Sequence, residues 1–114
     1  MNKEFWSAID RLVRESEIVI DRPKGSVHPR YSNFLYKVDY GYLKNTSSMD
    51  GGGIDIWKGT APKQKVNAII CIVDLLKRDS EIKLLMGCTE EEKGIVYKTH
   101  NETEYIKGII KQRP

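Results

Sequence analysis

Apolar positions change their period along this chain, and the changes mark its elements. Phe5, Trp6, Ile9, Leu12 and Val13 recur at helical spacing between charged residues, which predicts a helix over residues 3–14 with one buried stripe. The period then shortens to that of strands. Ile18-Val19-Ile20, flanked by charges, predicts a short strand over residues 17–21 that stops at Pro23 and Gly25. Residues 33–43 read as a longer strand, with Tyr36, Val38, Tyr40 and Tyr42 on one face and Gly41 marking a bulge or a close backbone approach.

A polar loop over 45–53 leads into a strand at 54–58, and a second loop follows at 59–65. Residues 66–73 are nearly all apolar and predict the most buried strand. Past a charged turn around Lys77-Arg78-Asp79-Ser80, a strand over 81–86 is expected. There Asp79, Glu81 and Lys83 share one face, and Ile82 and Leu84 take the other. Thr89 followed by Glu92 is a capping-box pattern and opens a helix running to Lys98. A last strand is expected over 105–110.

Short strands with antiparallel-type connections predict a mainly β domain over residues 1–114: a small five- to six-stranded barrel like the oligonucleotide-binding (OB) fold, with an N-terminal helix and one late helix. A chain of 114 residues holds enough core to fold without a staple.

Composition narrows the partners. The net charge of +3 suits an anionic small ligand and argues against nucleic acid, the more so because the basic residues are spread along the chain. Cys71 and Cys88 are far apart, in no metal-ligand spacing, and read as buried free thiols of a reducing compartment. The N-terminus lacks a signal-peptide pattern and no apolar run reaches membrane-spanning length, so a cytoplasmic protein without membrane contact is expected.

The candidate chemistry lies around residues 36–55, where Asp50 and Asp55 bracket a triple glycine. A glycine turn can fold two carboxylates towards one point, and Mg2+ takes hard oxygen ligands of this kind. Aspartates at turn edges equally cap the backbone. Arg30, Lys83, Tyr36, Tyr40, Tyr97 and Lys98 could surround such a centre and hold phosphate oxygens; the tyrosines could as well be core.

The run Tyr36-Lys37-Val38-Asp39-Tyr40-Gly41-Tyr42, followed by Thr46, Ser48 and Asp50-Gly51-Gly52-Gly53-Ile54-Asp55, resembles the central block of the soluble family I inorganic pyrophosphatases. The resemblance extends over about residues 18–110. It aligns Asp21 with an acid of the family's first strand and Arg30 with a substrate-binding lysine. Asp79, Glu81 and Lys83 match two aspartates and a lysine, and Tyr97-Lys98 match a phosphate-binding pair. It implies an OB-type barrel, Mg2+ held by Asp50, Asp55, Asp79 and Glu81, and hydrolysis of pyrophosphate to phosphate. Asp55, Lys83 and Tyr40 would be catalytic, and Arg30, Tyr36, Tyr40, Lys83, Tyr97 and Lys98 would bind substrate. Homo-oligomers are frequent in that family.

The departures cluster around the nucleophile. Gly52 stands where the family has the aspartate that helps ionise the attacking water, Ser32 replaces an acid, and a hairpin carrying an arginine is missing between Ser32 and Tyr36. Two readings follow: a magnesium-dependent phosphohydrolase of reduced activity, or a non-catalytic module on the same fold that binds a phosphorylated ligand or a protein partner. Single-stranded nucleic-acid binding on a basic, aromatic barrel is a third and weaker one.

Overall fold

The computed structural model describes residues 2–49 and 51–114. Two helices, α1 (Lys3–Arg14) and α2 (Glu90–Thr99), flank one mixed sheet. Its strands are β1 (Ile18–Arg22), β2 (Asp39–Leu43), β3 (Ile54–Lys58), β4 (Val66–Asp74), β5 (Asp79–Met86) and β6 (Ile106–Gln112), in the spatial order β1-β2-β3-β5-β4-β6. All neighbours are antiparallel except β3 and β5, which run parallel.

The domain is therefore mainly β with an early and a late helix. The sheet is not closed into a barrel: among the described residues β1 and β6 are its two edges and do not pair. Two local causes are visible. The strand expected over 33–43 is regular only from Asp39, because residues 23–37 fold back on themselves. Gly25 N–H donates to Tyr36 O, Tyr36 N–H donates to Ser26 O, and Val27 pairs with Leu35. That segment supplies no strand to reach β6. At the other edge, Asn101 covers both outward backbone groups of Gly108: its amide donates to the carbonyl at 3.1 Å and its oxygen accepts the N–H at 3.2 Å.

Each face of the sheet carries its own core. On one face Trp6 and Ile9 of α1 pack on Leu43, Ile56, Ile69 and Leu84. Asn2 caps this helix, and Arg113 holds it against the end of the sheet through a two-pronged ion pair with Asp10, both contacts 2.8 Å. On the other face Val96 of α2 packs with Trp57, Ile70, Ile72 and Leu85. The capping box that opens α2 is formed, and Glu92 also accepts from the backbone and hydroxyl of Thr60, pinning the β3–β4 loop to the helix.

Gly41 is a close approach, with a bulge opposite it. A β-carbon there would run into the Val19 carbonyl of β1, where the pairing register shifts. Side chains of β5 alternate as expected: Lys83 is 8% exposed on the α2 side, and Leu84 belongs to the α1-side core.

Candidate functional site

Strand register assembles the site. Tyr40 on β2 stands opposite Trp57 on β3, and Asp55 lies two residues before Trp57, on the same face. β5 lies on the far side of β3 and brings in Lys83. The Lys83 ammonium donates to the Tyr40 hydroxyl at 2.5 Å and to Asp55 Oδ2 at 2.8 Å, while the Tyr40 hydroxyl donates to the same Oδ2 at 2.5 Å. Glu81 Oε1 lies 3.4 Å from the ammonium, and the Tyr40 ring centroid 5.1 Å from it. Side chains two, fifteen and more residues apart thus meet at one cation.

The electrostatics assign proton states. Burial, then the Asp55 carboxylate, push the Tyr40 phenol far above its ordinary range. Tyr40 therefore stays protonated and acts as a donor, never as a base. Behind it, Trp57 packs edge-on at 4.5 Å between centroids, and its indole N–H donates to His100 Nε2 at 3.2 Å. Burial first, then the Lys83 ammonium, push His100 down to about 3, so this ring is neutral and accepts. Cys88 is no nucleophile: burial foremost raises its thiol to about 12. Cys71 and Cys88 are both free.

Of the substrate residues expected from sequence, Tyr36 stacks on Tyr40 at 5.5 Å and is 6% exposed. Tyr97 is 49% exposed and shares the lining of one cleft with Glu81. Lys98 lies on another flank, in a cavity of about 220 Å³ with Lys37, Phe34 and Trp57. Arg30 is exposed on the 23–37 segment, where its backbone N–H donates to His28 Nδ1; no described contact of its side chain reaches Tyr40, Asp55 or Lys83. Asp79 stands opposite Asp74 at the start of β5, two residues beyond Glu81. Asp50 lies outside the described residues.

Two contributors were not singled out from sequence. Arg22 pairs in register with Tyr40 and lies within hydrogen-bond reach of the Tyr36 side chain. Burial raises the Tyr36 phenol, while Arg22 and Lys83 oppose that rise. The signal was its place at the end of β1, one residue past Asp21. His100 carried no local signal, because its partner Trp57 is 43 residues away.

The polar loop before β3 is built, not slack. Thr46 Oγ1 donates to Leu43 O at 2.7 Å and accepts the Ile54 N–H at 2.9 Å. Ser48 N–H donates to Gly52 O and Gly51 N–H donates to Ser48 O, with Gly51 at φ +84°. This turn fixes where β3, and hence Asp55, begins.

The donor set suits magnesium in kind. Asp55 and Glu81 are hard-oxygen donors converging on one positive centre, and both recorded bonds of Asp55 fall on Oδ2. Among the described residues no group of three or more such side chains is gathered.

Compared with protein-family models and with curated proteins, the chain finds no match.

Proposed function

We propose that the Tyr40–Asp55–Lys83–Glu81 cluster binds a phosphoanhydride together with Mg2+ and hydrolyses it, inorganic pyrophosphate being the simplest substrate. The observation that carries this is the convergence of two carboxylates on a nearly buried ammonium. Two carboxylates and one ammonium leave the cluster one negative charge, which favours a further cation. With that cation in place, Lys83 and nearby Arg22 face an anion. The resemblance of residues 36–55 to the pyrophosphatases supports the same reading.

Asp55 and Glu81, with Asp50 and Asp79 as further candidates, would hold Mg2+. When bound, Mg2+ neutralises phosphate charge and lowers the pKa of a coordinated water. The protein's own groups do the rest. Lys83 neutralises phosphate oxygens as charge moves on to them. Tyr40, locked as a donor, orients Asp55 and Lys83 and would offer its O–H to an oxygen of the substrate. Tyr97 would be a further candidate for a phosphate oxygen. Gly52 supplies no base at the turn, so a slow turnover is expected; loss of a general base costs about 10²–10⁴-fold.

A binding experiment tests the site apart from catalysis. Calorimetric titration with imidodiphosphate, a non-hydrolysable analogue, should show magnesium-dependent binding that Asp55→Ala abolishes. Equal binding with and without magnesium, or by Asp55→Ala, defeats this reading. If the analogue binds as expected but pyrophosphate is not hydrolysed, the absent acid at Gly52 favours the non-catalytic, phosphate-binding module.

A further inference from the structure

The cavity of about 220 Å³ that holds Lys98 is separate from the Lys83 centre: none of Tyr40, Asp55, Glu81 and Lys83 lines it. Two pieces of chain build it. The folded-back 23–37 segment, fixed where Tyr36 N–H donates to Ser26 O, supplies Phe34, Leu35 and Lys37. The end of α2 supplies Ile95 and Lys98, which share one helix face at i, i+3 spacing, and Glu102 follows just past the helix. Asn101 holds that end in place: its amide donates to Tyr97 O at 2.8 Å and to Gly108 O at 3.1 Å. Trp57 lines the cavity from the sheet.

The lining is mixed. Phe34, Leu35, Ile95 and Trp57 form an apolar wall, and Leu35 stays exposed. Lys37, Lys98 and Glu102 stand around that wall, and among the described residues none of the three enters an ion pair. Two ammoniums and one carboxylate on one small cavity, not paired with each other, suit a ligand that carries both signs of charge. The negative end of the α2 dipole lies beside Glu102 and favours a cation there. A ligand with only an anionic group would leave Glu102 facing like charge, and an apolar one would leave all three charges unmatched. The volume is below the about 300–1,000 Å³ of sites for drug-sized ligands. A free α-amino acid with a small apolar side chain meets every one of these demands.

We propose that this cavity binds a free α-amino acid with a branched aliphatic side chain. Its carboxylate lies between Lys37 and Lys98, its ammonium at Glu102, and its side chain on Phe34, Leu35 and Ile95. The site is independent of the phosphate reading of the Lys83 centre. Its charged contacts are open to water, so each contributes no more than about fivefold to affinity, and added salt weakens them. Trp57 packs against Tyr40 at 4.5 Å between centroids, so an occupant of the cavity lies one ring away from the Lys83 centre.

L-Leucine, isocaproate and isoamylamine share one apolar group and differ in charge: isocaproate lacks the ammonium and isoamylamine lacks the carboxylate. Each is titrated into the full chain and followed by the indole N–H resonance of Trp57, in the cavity wall. Trp6, in the α1-side core, is the internal control. L-Leucine should bind about threefold to fivefold more tightly than either analogue, as one water-exposed ion pair gives. Glu102→Gln should remove its advantage over isocaproate, and Lys37→Gln should reduce its advantage over isoamylamine. Both side chains are exposed, so neither change disturbs the core.

Isocaproate binding as tightly as L-leucine overturns the proposal and leaves a plain anion site. Isoamylamine binding as tightly overturns it too. So does an L-leucine preference that survives both variants, or a Trp57 resonance that none of the three ligands moves. The cavity and the Lys83 centre fail separately. Pyrophosphate hydrolysis without L-leucine binding removes the cavity site alone. An L-leucine preference lost in the variants, without any pyrophosphate hydrolysis, keeps the cavity site and removes the hydrolase.

Discussion

Lys83 and Tyr40 meet head to head across three strands: the ammonium donates to the phenol oxygen at 2.5 Å, and the phenol passes its own proton bond on to Asp55. The pair puts one positive charge between two carboxylates and forbids the phenol to ionise.

Lys83→Met therefore leaves Asp55 and Glu81 facing each other without their cation. Breaking a mostly buried ion pair from one side costs about 3 kcal/mol. Urea unfolding should show that loss, and added Mg2+ should restore more stability to the variant than to the wild type. A variant as stable as the wild type, with no response to magnesium, contradicts the picture of converging carboxylates.

The buried His100 gives the fold a pH dependence with a definite sign. Its folded pKa of about 3 lies below the ordinary 6.5, so the unfolded chain binds the proton first. The contribution of neutral His100 is complete above about pH 6.5 and is lost as pH falls from there towards 3. Between pH 7.5 and 4.5 the wild type should lose about 1–3 kcal/mol more than His100→Asn. Denaturation curves at the two pH values check this; parallel losses would show that His100 is not held neutral.

Gly41→Ala should be among the costliest single-methyl additions in the chain. The new β-carbon meets the Val19 carbonyl, and a backbone atom cannot rotate away. A loss of about 3 kcal/mol, the upper end of overpacking costs, is expected in thermal unfolding. A change under about 0.5 kcal/mol would mean that β1 and β2 are not so closely apposed.

Much of this fold was legible because its elements are locally consistent. The α1 stripe, the Thr89 capping box and the apolar run of β4 each announce themselves within a dozen residues, and all three elements form. Closure was not legible. Whether a sheet closes depends on what residues 23–37 do, and aromatic residues such as Phe34 and Tyr36 fit a folded-back segment as well as a strand. The same holds for the site. Tyr40, Asp55, Glu81 and Lys83 were all suggested by pattern and likeness, and the structure brings the four together. Arg22 and His100 depend on register across strands and on a partner far along the chain, which no local pattern carries.

The turn before β3 offers a gain-of-function test. If the proposed pyrophosphatase reading holds, Gly52 stands where an acid would serve as base, so Gly52→Asp should raise phosphate release from pyrophosphate by about tenfold or more, within the range of general-base effects. No gain would locate the defect elsewhere, at Ser32 or in the 23–37 segment.

Phosphate release from pyrophosphate in the presence of Mg2+, compared between the wild type and Asp55→Ala, tests the central claim most directly. The account predicts steady release by the wild type, dependent on magnesium, and none above background from Asp55→Ala. A wild type no faster than Asp55→Ala would contradict it.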